Sequence, residues 1–146
     1  MTVDRELVTR KLLLVATDLE ELRAIHERGV DDYLASRTEQ AVAERLLERI
    51  VTRMIDVNYH LLTNVGQPPP ADYHASFTQL GAVGVLDTTF ASRITRSAGL
   101  RNRLVHDYDD LDQRLLFDAI AMALADVPAY AIAVREFLKR LTTGER

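Results

Sequence analysis

The 146-residue sequence has no cysteine and no tryptophan. Without cysteine there is no disulfide framework, no thiolate metal site and no thiol nucleophile, and the chain suits a reducing cytosol. Its four prolines are three in a row, Pro68-Pro69-Pro70, plus Pro128. Three adjacent prolines end a helix, and the stretch is too short to link two domains. The net charge of −4 does not describe a general nucleic-acid binder, so any such contact must rest on a local patch. No uninterrupted apolar run approaches the roughly 18 residues of a membrane span. The opening Met1-Thr2-Val3-Asp4-Arg5-Glu6 lacks the apolar core of a signal peptide. A soluble, cytoplasmic protein with no membrane association is expected, with no β-strand and no internal repeat.

What is present is helical periodicity. Hydrophobic residues make up 47% of the chain, enough for one domain spanning residues 1–146 with a true core. The first helix is expected from about Arg5 to Arg28, capped by Asp4 and stopped by Gly29. Val8, Leu12, Val15, Leu19, Leu22 and His26 form its inward seam, widened by Leu7 and Leu14. Asp31 to Leu34 reads as a short linker of at most one turn. Ser36-Arg37-Thr38-Glu39 has the capping-box pattern, and a second helix follows to about Asn64. Its apolar stripe is too broad for one contact, so this helix is either central or also meets a partner. A third helix spans Tyr73 to Val83, weakened near its end by Gly81 and Gly84. Asp87 caps a fourth, running through Phe90, Ile94 and Ala98 without a break into residues 99–108. A last helix covers Gln113 to Leu141, with a kink expected near Asp126 because of Pro128. The fold class is all-α, a bundle of about five helices.

The stretch Gly99-Leu100-Arg101-Asn102-Arg103-Leu104-Val105-His106-Asp107-Tyr108 departs from this pattern by crowding polar and charged residues together. At about 100° per residue, Arg101 and Tyr108 share a helix face, and Asn102 stacks one turn below His106. Arg101 and His106 diverge by roughly 140°. For both to act on one group, the helix must loosen near His106, or a second copy must supply the other half. Histidine can take and return a proton at cellular pH. Arginine presents a charged planar fork to phosphate oxygens, and Asn102 can orient the imidazole ring. No serine lies in the decapeptide. The chemistry left is metal-free work on a phosphodiester, with His106 as base or acid and Arg101 on the developing phosphorane charge. Arg93, Arg96, Arg101 and Arg103 supply a basic patch, in which Arg96 and Arg103 are phosphate-contact candidates.

Arg101, four residues, His106, one residue, Tyr108 resembles the signature of the HEPN superfamily of small helical ribonucleases. The full decapeptide is similar to the HepT-type branch, the toxin half of HepT–MntA toxin–antitoxin pairs. The resemblance extends over nearly the whole chain. It implies a single HEPN-like domain acting as a metal-independent endoribonuclease toxin that needs no cofactor. It implies a homodimer in which two motifs face each other, and a nucleotidyltransferase antitoxin of the MntA type. It also implies that this partner silences the toxin by transferring AMP to Tyr108. The rival reading is a non-catalytic helical module that grips a nucleotidyltransferase or a nucleotide.

Other residues have plainer readings. His26 and His60 suit structural positions, and His74 a solvated one. Asp109, Asp110 and Asp112 precede a helix that needs capping, which outweighs a Mg²⁺ site. Asp107, beside His106, joins Asn102 as a supporting residue. Tyr33, Tyr59 and Tyr130 suit packing roles.

Overall fold

Asp4 begins the fold: its side chain accepts from the Leu7 N–H, and its own backbone N–H donates to His60 Nε2 at 2.9 Å. A computed structural model describes residues 2–106 and 108–142, with the side chains of Tyr108 and Thr142 left out of the description. Among the described residues the elements are α1 (Arg5–Glu27), α2 (Val30–Ala35), α3 (Arg37–Asn64), α4 (Tyr73–Ala82), α5 (Thr88–Ile94), α6 (Arg96–His106), a 3-10 turn (Tyr108–Asp110) and α7 (Gln113–Thr142). No strand occurs among them.

The all-α expectation holds, with two differences in the elements. Asp31 to Leu34, expected as a short linker with room for one helical turn, lie within the six-residue helix α2. The helix expected to run unbroken from Asp87 is divided at Thr95 into α5 and α6. The Thr95 hydroxyl donates to the His74 carbonyl of α4 at 2.9 Å, a tertiary bond that periodicity does not encode.

Helix α3 is central. It meets α1, α2, α4, α6 and α7. Ala43, Leu46, Leu47, Ile50, Val51, Met54, Ile55, Val57, Leu61 and Leu62 are all buried inside this one chain. The breadth of its apolar stripe is therefore consumed internally. Ser36 caps it by accepting from the Glu39 N–H, but the Glu39 carboxylate turns to Arg28 instead of closing the capping box.

Helices α1 and α3 are antiparallel, since Lys11 pairs with Asp56, Asp18 with Arg49 and Arg53, and Arg28 with Glu39. Asp18 is buried, and its two arginines keep it from being an unpaired charge in the core. Helix α7 is antiparallel to α1: the Arg5 guanidinium donates to the Leu138 carbonyl, and His26 stacks on Phe117 at 4.5 Å. Between α3, α4 and α7 lies a closed polar network. The Tyr130 hydroxyl donates to Asn58 Oδ1 at 2.5 Å, and Asn58 Nδ2 donates to Ser76 Oγ at 3.1 Å. Ser76 in turn donates to the Tyr73 carbonyl. Every member is satisfied, so the network specifies packing without leaving an orphaned polar atom.

Helix α7 continues through Pro128. By length and composition alone, residues 113–141 could cross a membrane. The high hydropathy arises because α7 is apolar on two faces. Leu116, Ile120, Val127, Tyr130, Val134 and Leu138 enter the core, while Leu115, Met122 and Ile132 face outward. Leu14, expected to widen the seam of α1, is likewise exposed.

Candidate functional site

Helix α6 carries the motif. Ala98 and Leu104 are buried and Leu100 packs against the core, so one face of α6 is anchored. Gly99 lies against His74, where a Cβ would sit 3.6 Å from the ring Nε2. The remaining faces hold the polar residues at defined angles.

Arg101 is half-buried. Its Nε donates to Thr52 Oγ1 at 3.2 Å, and its guanidinium lies 5.2 Å from the centre of the Tyr73 ring. Among the described residues its terminal nitrogens have no hydrogen-bond partner, so they can receive an anion. His106 ends α6 and is exposed, as is Asn102 one turn before it. No hydrogen bond joins Asn102 to His106, although the helix places them on one face. The helix does not loosen before His106, so the divergence of roughly 140° from Arg101 stands within one chain.

Arg96 and Arg103 lie elsewhere. Seven residues apart, they line a groove of about 300 Å³ between α6 and α7, together with Leu100, Leu115 and Met122. Arg93 borders the same groove, but its guanidinium is paired with Asp126 at 3.1 Å. The four arginines are therefore two groups: Arg101 faces α3 and α4, and the others face α7.

Asp107 lies outside the described residues, as does the Tyr108 side chain. The expected alignment of the Tyr108 side chain with Arg101 therefore falls outside the described residues; the backbone of Tyr108 opens a 3-10 turn. Asp112 caps α7, accepting from the Arg114 and Leu115 N–H groups. Among the described residues no group of three or more His, Asp or Glu is gathered as a metal site. His26 and His60 are structural, the first stacked and the second holding the backbone of Asp4.

Sequence reasoning missed the surroundings of Arg101. A cavity of about 240 Å³ is lined by Thr52, Ile55, Asp56, Tyr59, Tyr73 and Arg101. Partial burial, with Tyr73 and Asp72 nearby, raises the Tyr59 hydroxyl above its ordinary pKa. The available signal was Thr52, Asp56 and Tyr59, polar positions at helical spacing on α3.

Residues 15–134 match the family model described as Ribonuclease HepT-like. The chain belongs to the HepT-like ribonuclease family. A relative from Aphanizomenon flos-aquae (strain 2012/KM1/D3), named tRNA nuclease HepT, is 35% identical over 136 residues, covering 93% of this chain and 92% of the relative. Among solved structures, the tri-AMPylated Shewanella oneidensis HEPN toxin in complex with MNT antitoxin superposes with a TM-score of 0.83 at 19% identity. It covers 90% of this chain and 98% of that one. YutE, a cytosolic protein of unknown function from Bacillus subtilis, superposes at 0.81 and 17% identity, covering 94% and 92%. At these identities the two structures establish the shared HEPN fold. The stretch that resembles the HepT-type signature runs through α6, from which Arg101 and His106 point in different directions.

Proposed function

We propose that this chain is a cytoplasmic, metal-independent endoribonuclease toxin whose catalytic residues are Arg101 and His106. The observation that carries this reading is Arg101 itself. Thr52 and Tyr73 fix its orientation, and its terminal nitrogens stay open to a phosphate. In the proposed reaction the ribose 2′-oxygen attacks the adjacent phosphorus and the 5′-oxygen departs. His106 takes the 2′-OH proton and returns it to the leaving oxygen, while Arg101 stabilises the negative charge that builds on phosphorus. DNA lacks the 2′-OH, so RNA is the substrate. Asn102 and Asp107 support the imidazole, and Arg96 and Arg103 hold flanking phosphates.

A homodimer completes the site. A second motif brought opposite the first supplies a histidine to each arginine, which one continuous helix cannot do. Leu115 and Met122, exposed beside α6, offer apolar surface for this contact.

The partner is a nucleotidyltransferase of the MNT class, and the modified residue is Tyr108. The AMPylated state of the Shewanella HEPN toxin supports this reading. An added phosphate two residues from His106 places negative charge where RNA must enter.

Purified protein is expected to cut single-stranded RNA in EDTA. His106→Ala and Arg101→Ala should each lose at least about 100-fold in rate, in the range of general-base and charge-stabilising groups, while keeping their helical spectrum. Loss of wild-type cleavage on chelation would overturn the metal-free mechanism. Incubation with the partner and ATP should add one or more AMP units to wild type and none to Tyr108→Phe, read by intact mass. Modification of Tyr33, Tyr59 or Tyr130 instead would refute the Tyr108 assignment and leave Arg101 and His106 standing.

A further inference from the structure

The cavity beside Arg101 has an unusual pairing of charges. Arg101 and Asp56 both line it, yet no ion pair joins them. Arg101 is tied to Thr52 and stacked on Tyr73. Asp56 is exposed and meets Lys11 through Oδ2 only, at 3.2 Å, leaving Oδ1 without a partner among the described residues. A cation and a carboxylate held apart across one cavity suit a ligand with acceptor oxygens at one end and N–H donors at the other. Between them stand two aromatic rings, Tyr59 and Tyr73, in edge-to-face contact at 6.2 Å. Tyr73 has one face under Arg101, and Tyr59 brings a second ring to the wall, so the body joining the two ends is planar and aromatic. A nucleotide has this form, and tyrosine rings are common stacking platforms for unpaired bases.

The carboxylate narrows the choice of base. An ionised Asp offers acceptors only. Guanine presents two adjacent donors, N1–H and N2–H, on its pairing edge. Adenine, cytosine and uracil each place an acceptor beside their donor and would set it against Asp56. The cavity volume of about 240 Å³ falls below the roughly 300–1,000 Å³ of sites that enclose a drug-sized ligand, so one base enters and the rest of the strand stays outside.

We infer that this cavity is a nucleotide subsite for guanine, with Arg101 on the phosphate and Asp56 on the N1–H and N2–H edge. The inference rests on the nuclease reading for its meaning, since it makes guanine the preferred base next to the bond that is cut. Binding is testable without cleavage.

Titration of the full chain with 5′-GMP, 5′-AMP, 5′-CMP and 5′-UMP by calorimetry is the experiment. GMP should bind at least about tenfold more tightly than UMP. Asp56→Asn, a change at an exposed position, should bring the four within about twofold of one another. Tyr59→Ala should weaken all four by about fivefold or more, and Tyr59→Phe should not, because the ring and not the hydroxyl stacks. Absence of nucleotide binding at millimolar concentration, equal binding of all four, or a guanine preference that survives Asp56→Asn would each overturn the subsite. GMP binding by a protein that leaves RNA intact would keep the subsite and remove the nuclease reading. RNA cleavage without GMP binding would do the reverse.

Discussion

Two buried tyrosines fasten the long helix α7 to the rest of the molecule. Tyr33 donates to Gln113 Oε1 at 2.6 Å, and Gln113 passes the chain of bonds to Glu44 at 2.8 Å. Tyr130 donates its one O–H to Asn58 Oδ1, with the Met54 carbonyl 3.1 Å from the same oxygen. Burial raises both hydroxyls above the ordinary tyrosine value of 10.0, with the Glu44 charge adding to the effect at Tyr33. A phenol whose pKa is higher folded than unfolded stays neutral in the native state while the unfolded chain ionises. Its stabilising contribution is intact below about pH 10 and drains away as the pH climbs toward the folded value. Each such tyrosine steepens the loss by up to about 1.4 kcal/mol per pH unit. Urea midpoints measured between pH 9 and 11 should therefore fall steeply for wild type. Tyr130→Phe should be less stable at pH 7, by about 1–3 kcal/mol, because Asn58 Oδ1 is left buried without its donor. It should also lose stability less steeply above pH 10. An unchanged alkaline slope in that variant would show that Tyr130 ionises freely in the native protein.

Helices α4 and α5 approach most tightly where Gly81 faces Ala91. A Cβ on Gly81 would fall 2.9 Å from the Ala91 Cβ, which is bound directly to backbone and cannot swing aside. In an open helix, Gly→Ala gains up to about 1 kcal/mol through backbone entropy. Here the sign should reverse, with Gly81→Ala destabilising by about 1–3 kcal/mol through overpacking. Thermal melts of Gly81→Ala, Ala91→Gly and the double variant test this. The second change should recover part of what the first loses. A stabilised Gly81→Ala would mean that α4 and α5 separate at little cost. The same glycine looked from sequence like a weakness at a helix end, since propensity records only the local chain. The division at Thr95 was hidden for a related reason. Thr95 there bonds the carbonyl of His74, twenty-one residues away.

One side of the molecule lacks a cover. Leu115, Met122 and Ile132 are 58, 44 and 59% exposed on the outer face of α7. Leu115 and Met122, seven residues apart, fall within about 20° of each other on a stripe beside the α6–α7 groove, while Ile132 is turned away by about 80–100°. Self-association through a two-fold axis would lay this stripe against its own copy. Light scattering at micromolar concentration should return twice the chain mass of 16.5 kDa. Leu115→Lys combined with Met122→Lys should give a folded monomer that cleaves RNA at least about tenfold more slowly. A monomeric variant with full activity would place the complete catalytic group within one chain.

The sequence by itself determined the helical class, the caps at Asp4, Ser36, Asp87 and Asp112, and the resemblance of residues 99–108 to the HepT-type signature. These follow from interactions within a few residues: periodicity, side-chain oxygens on orphaned N–H groups, and motif spacing. Only the tertiary structure decided that the broad stripe of α3 is buried inside one chain and that α7 keeps Leu115 and Met122 exposed. It also separated Arg101 from Arg96 and Arg103, and set Asp56 and Tyr59 beside Arg101. Those relations depend on which helix covers which face. Residues 52 and 101 become neighbours through packing of α3 against α6, and the local pattern of neither helix contains the other.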